Sequence, residues 1–253
     1  VAGVPPDYFC VDGQLWGNPL YDWDAMAADG YRWWIDRLRA AGGLFDVVRL
    51  DHFRGLESYW AVPPDETTAR NGVWQPGPGM TLISAVQAAL PELKIIAEDL
   101  GFLTPAVKKL LSDSGFPGMR VLEFGFESRD GQSRDLPHNY PVHSVAYVGT
   151  HDNMTAMQWL NEAPPEQVAF AVDYLNLTER EGLAYGMVRG LLGSPAALAV
   201  VQMQDYLSLG AAARMNQPST LGCNWQWRMT REQFAALDRG RIRRYTELYG
   251  RLR

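Results

Sequence analysis

The sequence predicts an α/β fold: a partial (β/α)8 TIM barrel lacking its first strands, with five parallel strands and outer helices. Two observations carry this. Short apolar runs rich in β-branched residues alternate with amphipathic stretches of helical period. Each run also leads into a loop before the next helix, and such repetition implies a parallel sheet covered by helices. Five runs fall short of the eight that close a barrel. The alternatives are an open doubly wound sheet or a barrel whose first three units are missing. The chain opens on Val1 with no charged-then-apolar signal segment, and residues 230–253 read as a complete helix with a charged tail. A start that looks cut and an end that looks natural favour the second alternative.

The strands are expected at residues 46–51 (DVVRLD), 94–98 (KIIAE), 119–126, 144–150 and 197–203. Helices are marked by their ends. Residues 29–41 form one, stopped by Gly42 and Gly43. Residues 80–90 place Leu82, Ile83, Val86 and Leu90 on one face. Thr104 and Pro105 open another as N-cap and first helical residue, and Gly115 can close it. Thr178 with Glu181, and Thr230 with Gln233, have capping-box spacing. Repeats, low-complexity tracts and linkers are lacking, so residues 1–253 read as one barrel portion with no internal domain boundary.

Composition narrows the function classes. Of 253 residues, 47% are hydrophobic and 21% charged, which speaks against disorder. A net charge of −6 does not provide the clustered Lys and Arg that nucleic acid requires. No apolar run is long enough to cross a bilayer. Cys10 and Cys223 sit in no metal or disulfide pattern and read as reduced thiols of a cytoplasmic protein.

The chemistry is expected at strand ends. On the first strand Val47, Arg49 and Asp51 share one face, and Val48 and Leu50 the other. An inward Arg and Asp are costly to bury unless used or paired. The guanidinium favours an ionised Asp51, which suits a nucleophile, although a buried ion pair that merely closes the barrel gives the same pattern. Glu98 ends the second strand. Near Asp51 its carboxyl would titrate high, as a general acid must. Asp99 reads as a cap for the following helix. Asp152 ends a third strand, flanked by His151 and Asn153. Retaining glycoside chemistry needs two carboxyl groups about 5–5.5 Å apart, and a third can grip sugar hydroxyls. The opening segment from Pro5 to Trp23 reads as a long ordered loop. Its Tyr8, Phe9, Trp16, Tyr21 and Trp23 provide flat faces for sugar rings, with Trp23 in the core and Trp16 towards ligand. A rival reading takes Asp51, His52, Glu98, Asp99, His151 and Asp152 as hard metal ligands. Adjacent DH and HD pairs on strands point to opposite faces, which speaks against it.

RLDHFRG at 49–55, IAEDLG at 96–101 and GTHDN at 149–153 resemble the signature blocks of the 4-alpha-glucanotransferases (amylomaltases, disproportionating enzymes, glycoside hydrolase family 77). GQLWGNPLYDW at 13–23, GPGMTL at 77–82, GFPGMRVLEF at 115–124 and QDYLSLGAAARMNQPST at 204–220 match in order, over essentially the whole chain. The resemblance implies Asp51 as nucleophile, Glu98 as acid/base and Asp152 as transition-state stabiliser. Arg49, His52, His151, Asn153 and Asn216 would line the sugar site, and Gln14 and Trp16 would touch bound glucan. It implies no metal or organic cofactor, maltooligosaccharides or starch- and glycogen-derived α-1,4-glucans as partners, and a missing N-terminal part of the chain. An α-1,4-glucan hydrolase and an inactive glucan-binding fragment are the alternatives. The sequence departs from the family at Met154, where Asp is expected, and at Cys223 and Ser219, where Gly is expected.

Overall fold

The computed structural model describes residues 1–6, 11–101 and 103–252. Tyr8, Phe9 and Cys10, read above as loop aromatics and a thiol, lie outside the described residues. The chain divides into two compact units, Val1–Met119 and Arg120–Arg253. No linker marks the division, which falls inside a strand.

The first unit runs β1 (Ala2–Val4), β2 (Gln14–Leu15), α1 (Trp23–Ala28), α2 (Arg32–Gly42) and β3 (Val47–Leu50). It continues through β4 (Ser58–Ala61), β5 (Val73–Pro76), α3 (Gly79–Ala89), β6 (Lys94–Ala97) and α4 (Pro105–Ser114). Strands β3 and β6 pair in parallel, with Val47 opposite Lys94 and Leu50 opposite Ala97. Ile95, Ile96 and Ala97 are all buried, as a strand covered on both faces requires. Leu38 of α2, Leu82, Ile83 and Val86 of α3, and Leu110 of α4 close over Ile95, Ala97 and Phe53, and Val48 and Leu50 pack on that cluster. The caps of α4 follow the sequence: the Thr104 hydroxyl accepts from Val107 N at 3.2 Å, and Gly115 takes φ +67°.

A second, antiparallel sheet was not expected. Its order is β2-β1-β4-β5, with Gly3 opposite both Leu15 and Trp60, and Trp60 opposite Trp74. The opening segment is therefore partly strand rather than loop. Its backbones approach closely: a Cβ on Gly3 would lie 2.5 Å from the Gln14 carbonyl oxygen.

The second unit holds most of β7 (Gly118–Val121), then β8 (Ser144–Tyr147), α5 (Ala156–Glu162), α6 (Pro165–Leu175) and α7 (Leu183–Leu192). After these come β9 (Leu198–Val200), α8 (Met203–Tyr206), α9 (Arg231–Ala236) and α10 (Arg239–Leu248). Strand order is β7-β8-β9, and β8 and β9 pair in parallel. Leu122, Phe126, Val148, Trp159, Met187 and Leu191 lie in its core, against which Tyr245 and Tyr249 of the last segment pack.

Several elements differ from expectation. All five expected strands end early: two stop one residue short, at Leu50 and Ala97, and three because the chain turns at Leu122, Val148 and Val201 into short helices and loops. Residues 230–253 form two helices rather than one: Asp238 caps α10 by accepting from Arg241 N, which breaks the run after Leu237. The Thr178–Glu181 spacing closes a turn, and α7 begins only at Leu183. Asp99 does not cap α4; its Oδ1 accepts from Met119 N at 2.6 Å at the start of β7. Among the described residues no helix is long and apolar enough to cross a membrane.

Candidate active site

In the first unit the β3–β6 register sets Asp51 beside Glu98, each one residue past its strand. The ladder continues there, since Glu98 N donates to Leu50 O at 2.9 Å and Phe53 N to Glu98 O at 3.0 Å. The carboxyl ends of parallel strands are where such sheets keep their reactive groups. Arg49 Nη2 donates to Asp51 Oδ1 at 2.7 Å, and the Asp51 side chain is 75% exposed.

Glu98 is held differently. Its Oε2 accepts from His52 N at 2.7 Å and its Oε1 from Leu100 N at 2.8 Å. Burial lifts its carboxyl above the ordinary glutamate range and the two backbone hydrogen bonds pull it back; the negative charge of Asp51 lifts it again, against Arg49. His52 makes this possible by adopting φ +46°, a left-handed conformation costly for a residue with a Cβ. Gly55 leaves room for the ring: a Cβ there would meet His52 Cδ2 at 2.9 Å. Burial, and then the Arg54 charge, bring the His52 imidazole down to about 4, against the opposing pull of Asp51, so it is neutral at neutral pH. Trp16 stands edge-on to His52 with centroids 4.7 Å apart, and its Nε1 donates to Gln14 Oε1 at 3.2 Å. Trp16 is 43% exposed, whereas Trp23 packs on the core.

In the second unit Asp152 lies in a turn beyond β8. Asn153 N donates to Thr150 O, and the Asn153 Oδ1 accepts from Thr150 N and its hydroxyl at 2.9 and 2.7 Å. Asn153 thus spends its side-chain oxygen on shaping the turn. Asp152 Oδ1 accepts from Asn216 Nδ2 at 2.6 Å, and Oδ2 lies 3.2 Å from His151 Nε2. Asn216 N donates to His151 O, and Trp225 lies 5.0 Å from the His151 ring. Ser219, where the resemblance leads one to expect glycine, takes φ +63°, a left-handed conformation that glycine adopts without strain.

Sequence reasoning missed Glu123, Asp205, Gln202 and Arg214 behind this turn. Gln202 Nε2 donates to the carbonyls of Gly149 and Thr150, and Arg214 Nη2 to that of Asp152 at 2.7 Å. The available signal was an acidic residue inside an apolar run, at 119–126 and again at 203–207. Among the described residues no group of three or more His, Cys, Asp or Glu is placed to hold a metal ion.

A family profile described as 4-alpha-glucanotransferase, glycoside hydrolase 77, matches residues 1–233. The 4-alpha-glucanotransferase of Streptococcus pneumoniae is 49% identical over 253 residues, covering 100% of this chain and 50% of the relative. That of Clostridium butyricum is 44% identical over 252 residues, covering 99% and 52%. The structure of an amylomaltase from Streptococcus agalactiae in complex with acarbose matches with a TM-score of 0.96 at 40% identity, over 100% of this chain and 51% of that one. The fold is accordingly an α/β fold similar to that amylomaltase, with mixed sheets and helices. The chain spans about half the length of the curated relatives it matches. With such matches over the full length of the sequence, the chain belongs to the 4-alpha-glucanotransferase family, glycoside hydrolase family 77.

Proposed function

We propose that the protein carrying this chain transfers 4-alpha-glucan segments between maltooligosaccharides by a retaining double displacement. The five strands β3, β6, β7, β8 and β9 are read as part of a (β/α)8 barrel, in keeping with their strand–helix order. One observation carries the chemistry: Asp51 and Glu98 are register neighbours at the ends of two parallel strands, one charge-paired with Arg49 and the other half-buried, with its carboxyl raised above the ordinary glutamate range. That is the division of labour between a nucleophile and a general acid.

In this reading Glu98 protonates the glycosidic oxygen while Asp51 attacks the anomeric carbon, giving a covalent glycosyl–Asp51 ester. Once Asp51 is esterified its charge is gone, which lowers the affinity of Glu98 for a proton. Glu98 then takes the proton of an acceptor 4-hydroxyl, whose oxygen displaces Asp51. Two inversions leave the anomeric configuration unchanged. Asp152, held by Asn216, stabilises the positive charge that develops on the sugar ring. Arg49, His52, His151 and Asn153 line the sugar, and Gln14 and Trp16 meet the bound glucan. A neutral His52 donates or accepts hydrogen bonds without adding charge beside Asp51. Transfer requires that water be kept from competing with the acceptor; Trp16 over His52 supports this reading, and the relatives named above are called transferases rather than hydrolases. A cytoplasmic setting goes with the proposal, because the exposed free thiol of Cys223 suits a reducing compartment.

The test is Asp51→Asn in the natural full-length chain, assayed by disproportionation of maltotriose. Transfer is expected to fall by at least about a thousandfold with the fold intact. Near-normal turnover would remove Asp51 from the mechanism.

A further inference from the structure

We propose that Arg214 is a positioning residue for Asp152: its guanidinium fixes the turn carrying this carboxylate, and the buried Glu123 and Asp205 support that turn from behind. The inference rests on the role given above to Asp152. Arg214 bridges two backbone points of the site: its Nη2 donates to Asp152 O at 2.7 Å and its Nε to Asn216 O at 2.9 Å. Asn216 in turn donates to the Asp152 carboxylate. One guanidinium therefore sets both the Asp152 turn and the amide that orients its carboxylate.

The carboxyl groups support the same turn from below. Glu123 N donates to Val148 O at 3.2 Å, and Glu123 Oε1 lies 2.8 Å from where a Cβ on Gly149 would stand, so it packs on the residue that leads into the turn. Asp205, on α8, accepts through Oδ1 from Ala156 N at 2.8 Å and so holds the residue that opens α5, where the turn leads out. Glu123 Oε1 and Asp205 Oδ2 are buried without hydrogen-bond partners. Two such anions together would be costly. Their titration agrees. Burial, and then the Asp205 charge, raise Glu123 well above the ordinary range against the pull of Arg214, and burial raises Asp205 to about 6. Among the described residues, Asp205 and Arg214 are the charged groups that act on Glu123.

A buried cluster of this kind is a poor device for stability alone. It is well suited to hold a catalytic carboxylate, where a misplacement of about 1 Å can cost on the order of a hundredfold in rate. The experiment measures kcat and KM for maltotriose disproportionation in the natural full-length chain, alongside thermal unfolding. Arg214→Lys is expected to lower kcat by about tenfold or more while KM moves less than about threefold. Arg214→Gln, which keeps a hydrogen-bond donor but not the fork that reaches both carbonyls, is expected to lower kcat by at least as much. Wild-type kcat for a folded Arg214→Lys variant would overturn the inference. So would wild-type kcat for Arg214→Gln, and this arm decides alone if Arg214→Lys does not fold. Asp152→Asn separates the two levels. If it keeps activity, the role of Asp152 falls and the inference with it; if it is inactive while Arg214→Lys is unimpaired, the positioning inference alone falls.

Discussion

The Glu98 carboxyl is needed in two protonation states within one catalytic cycle, and its neighbours provide for both. Burial is the largest influence and favours the neutral acid; the Asp51 charge adds to it, while the N–H groups of His52 and Leu100 stabilise the anion that the second step requires. Removing the Asp51 charge should therefore lower the Glu98 titration midpoint, yet leave it above the ordinary glutamate value. Carboxyl-carbon NMR of the full-length chain with Asp51→Asn checks this; a midpoint that stays put or rises would mean the two carboxyls do not sense each other. The position of these acids at strand ends was legible in the sequence, since strand period and length fix which residue comes last on a strand. The grip of Glu98 on the His52 N–H was not. It depends on the register between β3 and β6 and on a left-handed His52, neither of which a local pattern encodes.

Among the elements, α4 shows how much a local code can carry: Thr104, Pro105 and Gly115 state both its ends. Thr178 and Glu181 show the limit of that code. Their spacing matches a capping box, but the Glu181 carboxylate is taken by Arg189 at 2.8 Å and by the Tyr245 hydroxyl at 2.6 Å, tying α10 to α7. A tertiary partner outcompetes the local one. Asp205 links α8 to α5 in a comparable way, and its burial makes stability depend on pH. A carboxyl whose folded pKa is raised from 3.8 to about 6 stabilises fully below pH 3.8, and that contribution is lost as pH rises through about 6. Asp205→Asn should flatten this slope, which amounts to about 3 kcal/mol as an order of magnitude. Urea unfolding of the wild type and the variant at pH 4, 5, 6 and 7 measures it. Parallel pH profiles would show that Asp205 is not the group responsible.

For the whole molecule, the parallel strand–helix order was legible because each unit is local: an apolar run, a loop, an amphipathic helix. The β2-β1-β4-β5 sheet was not, because its strands are two to four residues long and join residues near the start of the chain to a hairpin some 55 positions later. Trp60 and Trp74 mark that hairpin by cross-strand contact rather than by alternation. Nor could composition reveal two compact units, since the division falls within β7. What makes the site is thus partly local, in the residues that follow each strand, and partly long-range, in the register that pairs Asp51 with Glu98.

The covalent step is tested most directly by trapping it. The natural full-length chain with Glu98→Gln is incubated with an α-maltosyl fluoride, a donor whose departing fluoride needs no acid, and then digested and mapped by mass spectrometry. The mass of one maltosyl group is expected on the peptide containing Asp51 and absent when Asp51→Asn is added. A label on any other carboxylate, or donor consumption with release of β-configured product and no label, would contradict a glycosyl–Asp51 intermediate.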